Sequence, residues 1–133
     1  MLKVEHIGIA VADLQSSIAI YEKLLNTVCY KQEEVISEKV ITAFFAVGDT
    51  KIELLQSTEN DGVIAKYIEK KGQGMHHIAF EVQDIIEEMN RLSNAGFQLI
   101  NTVPKKGADN KLVCFLHPKD ASGVLIELCQ EIK

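Results

Sequence analysis

Residues 4–11 read Val-Glu-His-Ile-Gly-Ile-Ala-Val, and residues 75–82 return to the same theme as Met-His-His-Ile-Ala-Phe-Glu-Val. Both octets alternate along the chain with a period near two, the pattern of a half-buried strand. Each leads into an acidic residue and an amphipathic stretch, Asp13-Leu14 in the first case and Asp84-Ile85 in the second. Aspartate in that place suits a helix N-cap. Leu14, Ile18, Tyr21, Leu24 and Leu25 follow with helical spacing and stop near Asn26, while Ile85, Ile86, Met89 and Leu92 stop at Asn94-Ala95-Gly96. Strand, then helix, is written twice.

Outward from these octets, three strand-like runs follow each helix. In the first half they are Val28–Val35, Lys39–Val47 and Lys51–Gln56, the last two joined by Gly48-Asp49, a hairpin signal. In the second half they are Phe97–Val103, Leu112–Leu116 and Val124–Gln130. The closing strands echo as well, Lys51-Ile52-Glu53-Leu54 against Leu125-Ile126-Glu127-Leu128. Matching positions lie 71 residues apart at the histidines and 74 apart at the glutamates, a nearly constant offset. The expected fold is α+β, with two tandem βαβββ modules in a curved mixed sheet. Module one covers about residues 1–58 and module two about 74–133. A connector helix spans about 61–72, with Val63, Ile64, Tyr67 and Ile68 on its apolar face and its end at Gly72. At 133 residues this makes a single domain.

Composition narrows the function. Fourteen Lys+Arg against nineteen Asp+Glu leave a net charge of −5, a field that repels phosphate. It argues against non-specific binding to nucleic acid or to an anionic membrane surface. No apolar run approaches the roughly 20 residues of a spanning helix, and MLKVEHIGIAVADL lacks the pattern of a secretory leader. Cys29, Cys114 and Cys129 are odd in number and form no C-x-x-C pair, which fits a reducing, cytoplasmic setting.

Strand parity then selects candidate chemistry. Ile7, Ile9 and Val11 share the face a helix covers, which leaves His6 on the other face beside Gly8. Ile78, Phe80 and Val82 do the same for His77 beside Ala79, and small neighbours leave room at each imidazole. Glu53 points away from Ile52 and Leu54 as Glu127 points away from Ile126 and Leu128. A lone histidine or glutamate in a strand is ordinarily a satisfied or exposed residue. Two of each, repeated under duplication on the inward side, make a ligand set, because a divalent cation offsets the cost of burying the carboxylates. Imidazole with carboxylate suits zinc, cobalt, nickel, manganese or iron(II).

Other polar residues read as structural. His76 falls on the covered face, at the position matching Glu5. His117, before Pro118, suits a substrate contact or a turn. Cys114 and Cys129 lie in apolar strands as packing residues, and Gly72-Gln73-Gly74 lacks the Walker pattern of a phosphate loop. Lys105, Lys106, Lys111 and Lys119 are either solvated or partners for phosphates.

HIGIAVADL (6–14), VGDTKIELL (47–55), GMHHIAFEV (74–82) and above all KLVCFLHPKDASGVLIEL (111–128) resemble the vicinal oxygen chelate superfamily. Within it they are most similar to the methylmalonyl-CoA epimerases. The resemblance implies a cleft around one divalent metal held by His6, Glu53, His77 and Glu127, often in a homodimer. It also implies interconversion of (R)- and (S)-methylmalonyl-CoA, with an acyl-CoA as substrate. Deprotonation between thioester and carboxylate needs stabilisation of the enolate, and inversion needs acid/base groups on both faces of the carbon. Glu127 is the first such group. Some members carry a glutamate where Thr42 stands here, and threonine is no base near neutral pH; Glu53 or a bound water takes its place. A glyoxalase-like isomerase would use a similar metal set, and a sequestering protein of this fold would need none.

Overall fold

A computed structural model describes residues 1–133. Along it run β1 (Lys3–Ala10), α1 (Leu14–Leu25), β2 (Lys31–Val35), a 3-10 turn (Ile36–Glu38), β3 (Val40–Val47) and β4 (Thr50–Ser57). Then come α2 (Val63–Lys71), β5 (Gly74–Glu81), α3 (Ile85–Asn94), β6 (Lys105–Lys106), β7 (Lys111–Leu116), a second 3-10 turn (Pro118–Ala121) and β8 (Ile126–Glu131). The order β-α-β-β-β therefore occurs twice with α2 between, and the class is α+β as expected. No helix is long and apolar enough to cross a membrane. The chain divides into two units, Ile7–His76 and Met1–His6 with His77–Lys133. The N-terminal half of β1 belongs to the latter.

In the unit Ile7–His76, β2, β3 and β4 are successive antiparallel partners, with Glu33 opposite Thr42 and Phe44 opposite Glu53. The two-residue turn Gly48-Asp49 closes the β3–β4 hairpin behind the Val47–Thr50 pair. Gly48 has φ +60, which glycine adopts without steric cost. Leu14 and Ile18 of α1 pack on Val11, Ala43, Phe45 and Leu54. On the other side Ile64 of α2 packs with Ala10, Val40 and Leu55. Full burial of such a side chain contributes about 1.5–3 kcal/mol. The α1 stripe is narrower than its spacing suggested, for Leu24 is exposed. Asn26 ends α1 in the left-handed region at φ 52.

In the unit of Met1–His6 and His77–Lys133 the sheet is mixed. β5 pairs with β8 in parallel, β8 with β7 and β7 with β6 antiparallel. Ile85, Met89 and Leu92 of α3 cover one face, against Val82, Cys114, Leu116 and Leu128. Ile86, read as part of that stripe, is exposed. Ala79, Val113 and Cys129, with Phe115 beside them, make a smaller cluster.

One strand differs from its expectation. The run Phe97–Val103 is not a strand: it makes a single bridge, Leu99 to Leu116, and β6 follows only at Lys105. Side chains hold this stretch in place of a ladder. Gln98 N–H donates to Asp120 Oδ2 at 2.7 Å, and Asn101 Oδ1 accepts from Phe115 N–H at 2.9 Å while its Nδ2 donates to Val113 O at 3.2 Å. Pro104 has no N–H to extend the pairing.

Candidate metal centre

Three of the four expected donors meet within one unit. His77 lies two residues before Ala79 on β5, so the two share a face, and Ala79 is the register partner of Glu127 on β8. His6 comes from β1. His6 Nε2 and His77 Nε2 are 3.1 Å apart. Glu127 Oε1 is 3.2 Å from His77 Nε2, and Oε2 is 3.6 Å from His6 Nε2. The two rings meet edge to face with centroids 5.2 Å apart, and Phe115 stands against His77 at 5.9 Å. All three donors are buried, Glu127 at 5% exposure.

The electrostatics follow from that packing. Burial pushes the Glu127 carboxyl upward, but the imidazoles of His6 and His77 beside it outweigh that. The net direction is well below the ordinary carboxylate value, so Glu127 is ionised. Two imidazole nitrogens and an ionised carboxylate facing one another are a donor set that could hold a cation. Donors each about 2.1 Å from one ion stand roughly 3.0–3.4 Å apart in octahedral or tetrahedral arrangement, close to the observed separations. The set fits a divalent metal.

A second donor group, Glu5, His6 and Cys129, shares His6. Cys129 is the third member of that group. Burial, then the negative charges of Glu127 and Glu5, push its thiol far up, and Sγ–H donates to Phe80 O at 3.5 Å.

Glu53 belongs to the other unit, Ile7–His76, where it is buried on β4 opposite Phe44. Thr42, in that unit too, is fully buried, and its hydroxyl donates to Glu33 O at 3.4 Å. His76 packs edge-on against Tyr67 at 4.8 Å. His117 caps the second 3-10 turn, Nδ1 accepting from Lys119 N–H at 3.1 Å, which is the turn role expected of it. Lys111 is not a solvated lysine: it is 4% exposed, with Nζ 3.4 Å from Glu131 Oε1.

Sequence reasoning passed over Glu5. Parity sends neighbours to opposite faces, yet Glu5 and His6 are both buried, and Glu5 Oε1 lies 2.7 Å from His6 Nδ1. The available signal was an acidic residue beside a candidate ligand in an otherwise apolar strand.

Residues 5–115 match the model of the glyoxalase/bleomycin resistance protein/dioxygenase superfamily. The chain belongs to that superfamily. Among similar members is the uncharacterised protein YqjC of Bacillus subtilis (strain 168), 40% identical over 130 residues, covering 98% of this chain and 93% of the relative. The ethylmalonyl-CoA/methylmalonyl-CoA epimerase of Cereibacter sphaeroides is 38% identical, with 96% and 97% covered. Among solved structures of the superfamily, a serine-to-threonine variant of Streptomyces coelicolor methylmalonyl-CoA epimerase holds 2-nitronate-propionyl-CoA. It is 29% identical, with a TM-score of 0.92 over 98% of this chain and 95% of that one.

Proposed function

We propose that the protein is a metal-dependent methylmalonyl-CoA epimerase, exchanging the α-proton of an acyl-CoA whose α-carbon lies between a thioester and a carboxylate. The observation that carries the reading is the convergence of His6, His77 and Glu127 in a chain whose relatives include named epimerases. A divalent metal, when bound by these residues, supplies positive charge that polarises the substrate's oxygens. His6 and His77 would hold it through Nε2. Glu127, ionised and buried, would be both a ligand and the proton acceptor. Glu53, the repeat's counterpart of Glu127, would be the fourth ligand in this reading, with Glu53 or a bound water as the second acid/base. Burial keeps bulk water from the acceptor and strengthens each of these electrostatic contacts. The reading carries with it a homodimer and a cytoplasmic setting.

Metal analysis of the purified protein, paired with exchange of the methylmalonyl-CoA α-proton in heavy water, tests the reading. One divalent ion per chain and deuterium uptake that stops on chelation are expected. Deuterium uptake without metal dependence would remove the metal from the mechanism. Absence of uptake in a metal-replete protein would point to a different superfamily activity.

A further inference from the structure

We propose that Glu5 is a positioning residue, which accepts the Nδ1–H of His6 and so turns Nε2 toward His77 and Glu127 as the ligating atom; this rests on the metal reading above. An ionised carboxylate accepts hydrogen bonds and cannot donate one. The 2.7 Å contact between Glu5 Oε1 and His6 Nδ1 engages that nitrogen and leaves Nε2 on the side of His77 and Glu127. At 2% exposure such a carboxylate would be costly without partners, and a charge-assisted bond to an imidazole offsets the cost.

The arrangement is directional. His6 Nδ1 is engaged by Glu5 while Nε2 faces His77 Nε2 at 3.1 Å and Glu127 Oε2 at 3.6 Å. A ring flip would turn Nδ1 toward the centre and break the bond to Glu5. Holding one tautomer and one ring orientation lowers the entropy cost of ligation and makes Nε2 more basic. The Phe115 ring stands edge-on against His77 at 5.9 Å.

Two readouts test this. The first uses metal-free protein: nitrogen-15 histidine spectra, at a pH where His6 is neutral, should show the Nδ1–H form in the wild type. Glu5→Leu should shift His6 toward the Nε2–H form, whereas Glu5→Gln, whose amide oxygen accepts the same bond, should keep Nδ1–H. The second is affinity for Zn²⁺ or Co²⁺ by chelator competition. Glu5→Leu is expected to bind about 10- to 100-fold more weakly, with Glu5→Gln in between. If Glu5→Leu does not fold, Glu5→Asp, one methylene short of Nδ1, carries the same measurements. A wild-type tautomer in a folded Glu5→Leu or Glu5→Asp protein overturns the proposal. So does wild-type affinity in a protein whose His6→Ala variant has lost metal. If the wild type binds no metal, the metal reading fails by itself, and the tautomer alone decides the role of Glu5.

Discussion

His6 Nε2 and His77 Nε2 stand 3.1 Å apart across 71 residues of chain. Each imidazole comes from the strand that opens one copy of the repeated βαβββ pattern. Duplication thus delivers a pair of like donors to one point, which a single copy could not do. With Glu127 beside both, the pair should behave as one chelating unit.

His77→Ala should therefore strip most metal from the protein, because it removes one of three converging donors. His76→Ala should leave metal content near wild type, since that ring packs on Tyr67. Elemental analysis of the two variants after identical dialysis checks this, and the reverse pattern would reassign the histidine.

Glu127→Gln keeps the size of the side chain and one ligating oxygen but removes the proton acceptor. Deuterium uptake into methylmalonyl-CoA should fall by about 100-fold or more, the usual contribution of a positioned base. Metal binding should persist at reduced affinity. Near-normal uptake in a metal-replete variant would leave Glu127 as a ligand alone.

The same carboxyl links stability to acid. Its value in the folded protein is below the ordinary 4.5, with burial overcome by the His6 and His77 imidazoles beside it. Its contribution is then fully present above about pH 4.5 and is lost as pH falls toward the folded value. Urea unfolding of the metal-free protein at pH 6 and at pH 3.5 should show a larger acid loss for wild type than for Glu127→Gln. Equal losses would mean that the carboxyl is not held down in the folded state.

Thiol reactivity should single out one cysteine. Burial pushes Cys114 up to about 11, so only about one molecule in a thousand carries that thiolate at pH 8. Cys129 is pushed further, by burial and by Glu127 and Glu5. Cys29 is half-buried, with Sγ 3.3 Å from Lys31 O. A thiol-disulfide reagent should modify Cys29 alone in the native protein and all three after unfolding. Fast labelling of Cys129 in the native state would contradict its burial.

Gln56 and Gln130 should each stabilise a helix start. Gln56 Oε1 accepts Leu14 N–H at 2.6 Å, and Gln130 Oε1 accepts Ile85 N–H at 2.7 Å. Either Gln→Ala change should cost about 1 kcal/mol. In a chain of this size that lowers the melting temperature by roughly 3–5 °C. Asp13, placed as the N-cap of α1, makes no side-chain cap bond, so Asp13→Ala should cost less than Gln56→Ala.

The repeat itself was legible in the sequence, because period-two and period-3.6 patterns are local and burial follows them directly. Val11, Leu14, Ile18, Ile85, Met89 and Leu92 are buried for that reason, and Asn26 and Gly96 end their helices with the positive φ their residue types tolerate. Parity also put His77 and Glu127 on one face, since alternation along β5 and β8 needs no knowledge of what lies between them. Where the tertiary structure decided, most of the deciding contacts were between residues far apart in the chain. Asn101 replaces a ladder by bonding Phe115 and Val113, the job of capping α1 passes from Asp13 to Gln56, and Lys111 is buried against Glu131. The neighbours Glu5 and His6, which alternation alone would send apart, are both buried and bonded. Hydrogen bonds are satisfied by whatever partner the packed chain brings within reach, and a linear pattern does not carry that information.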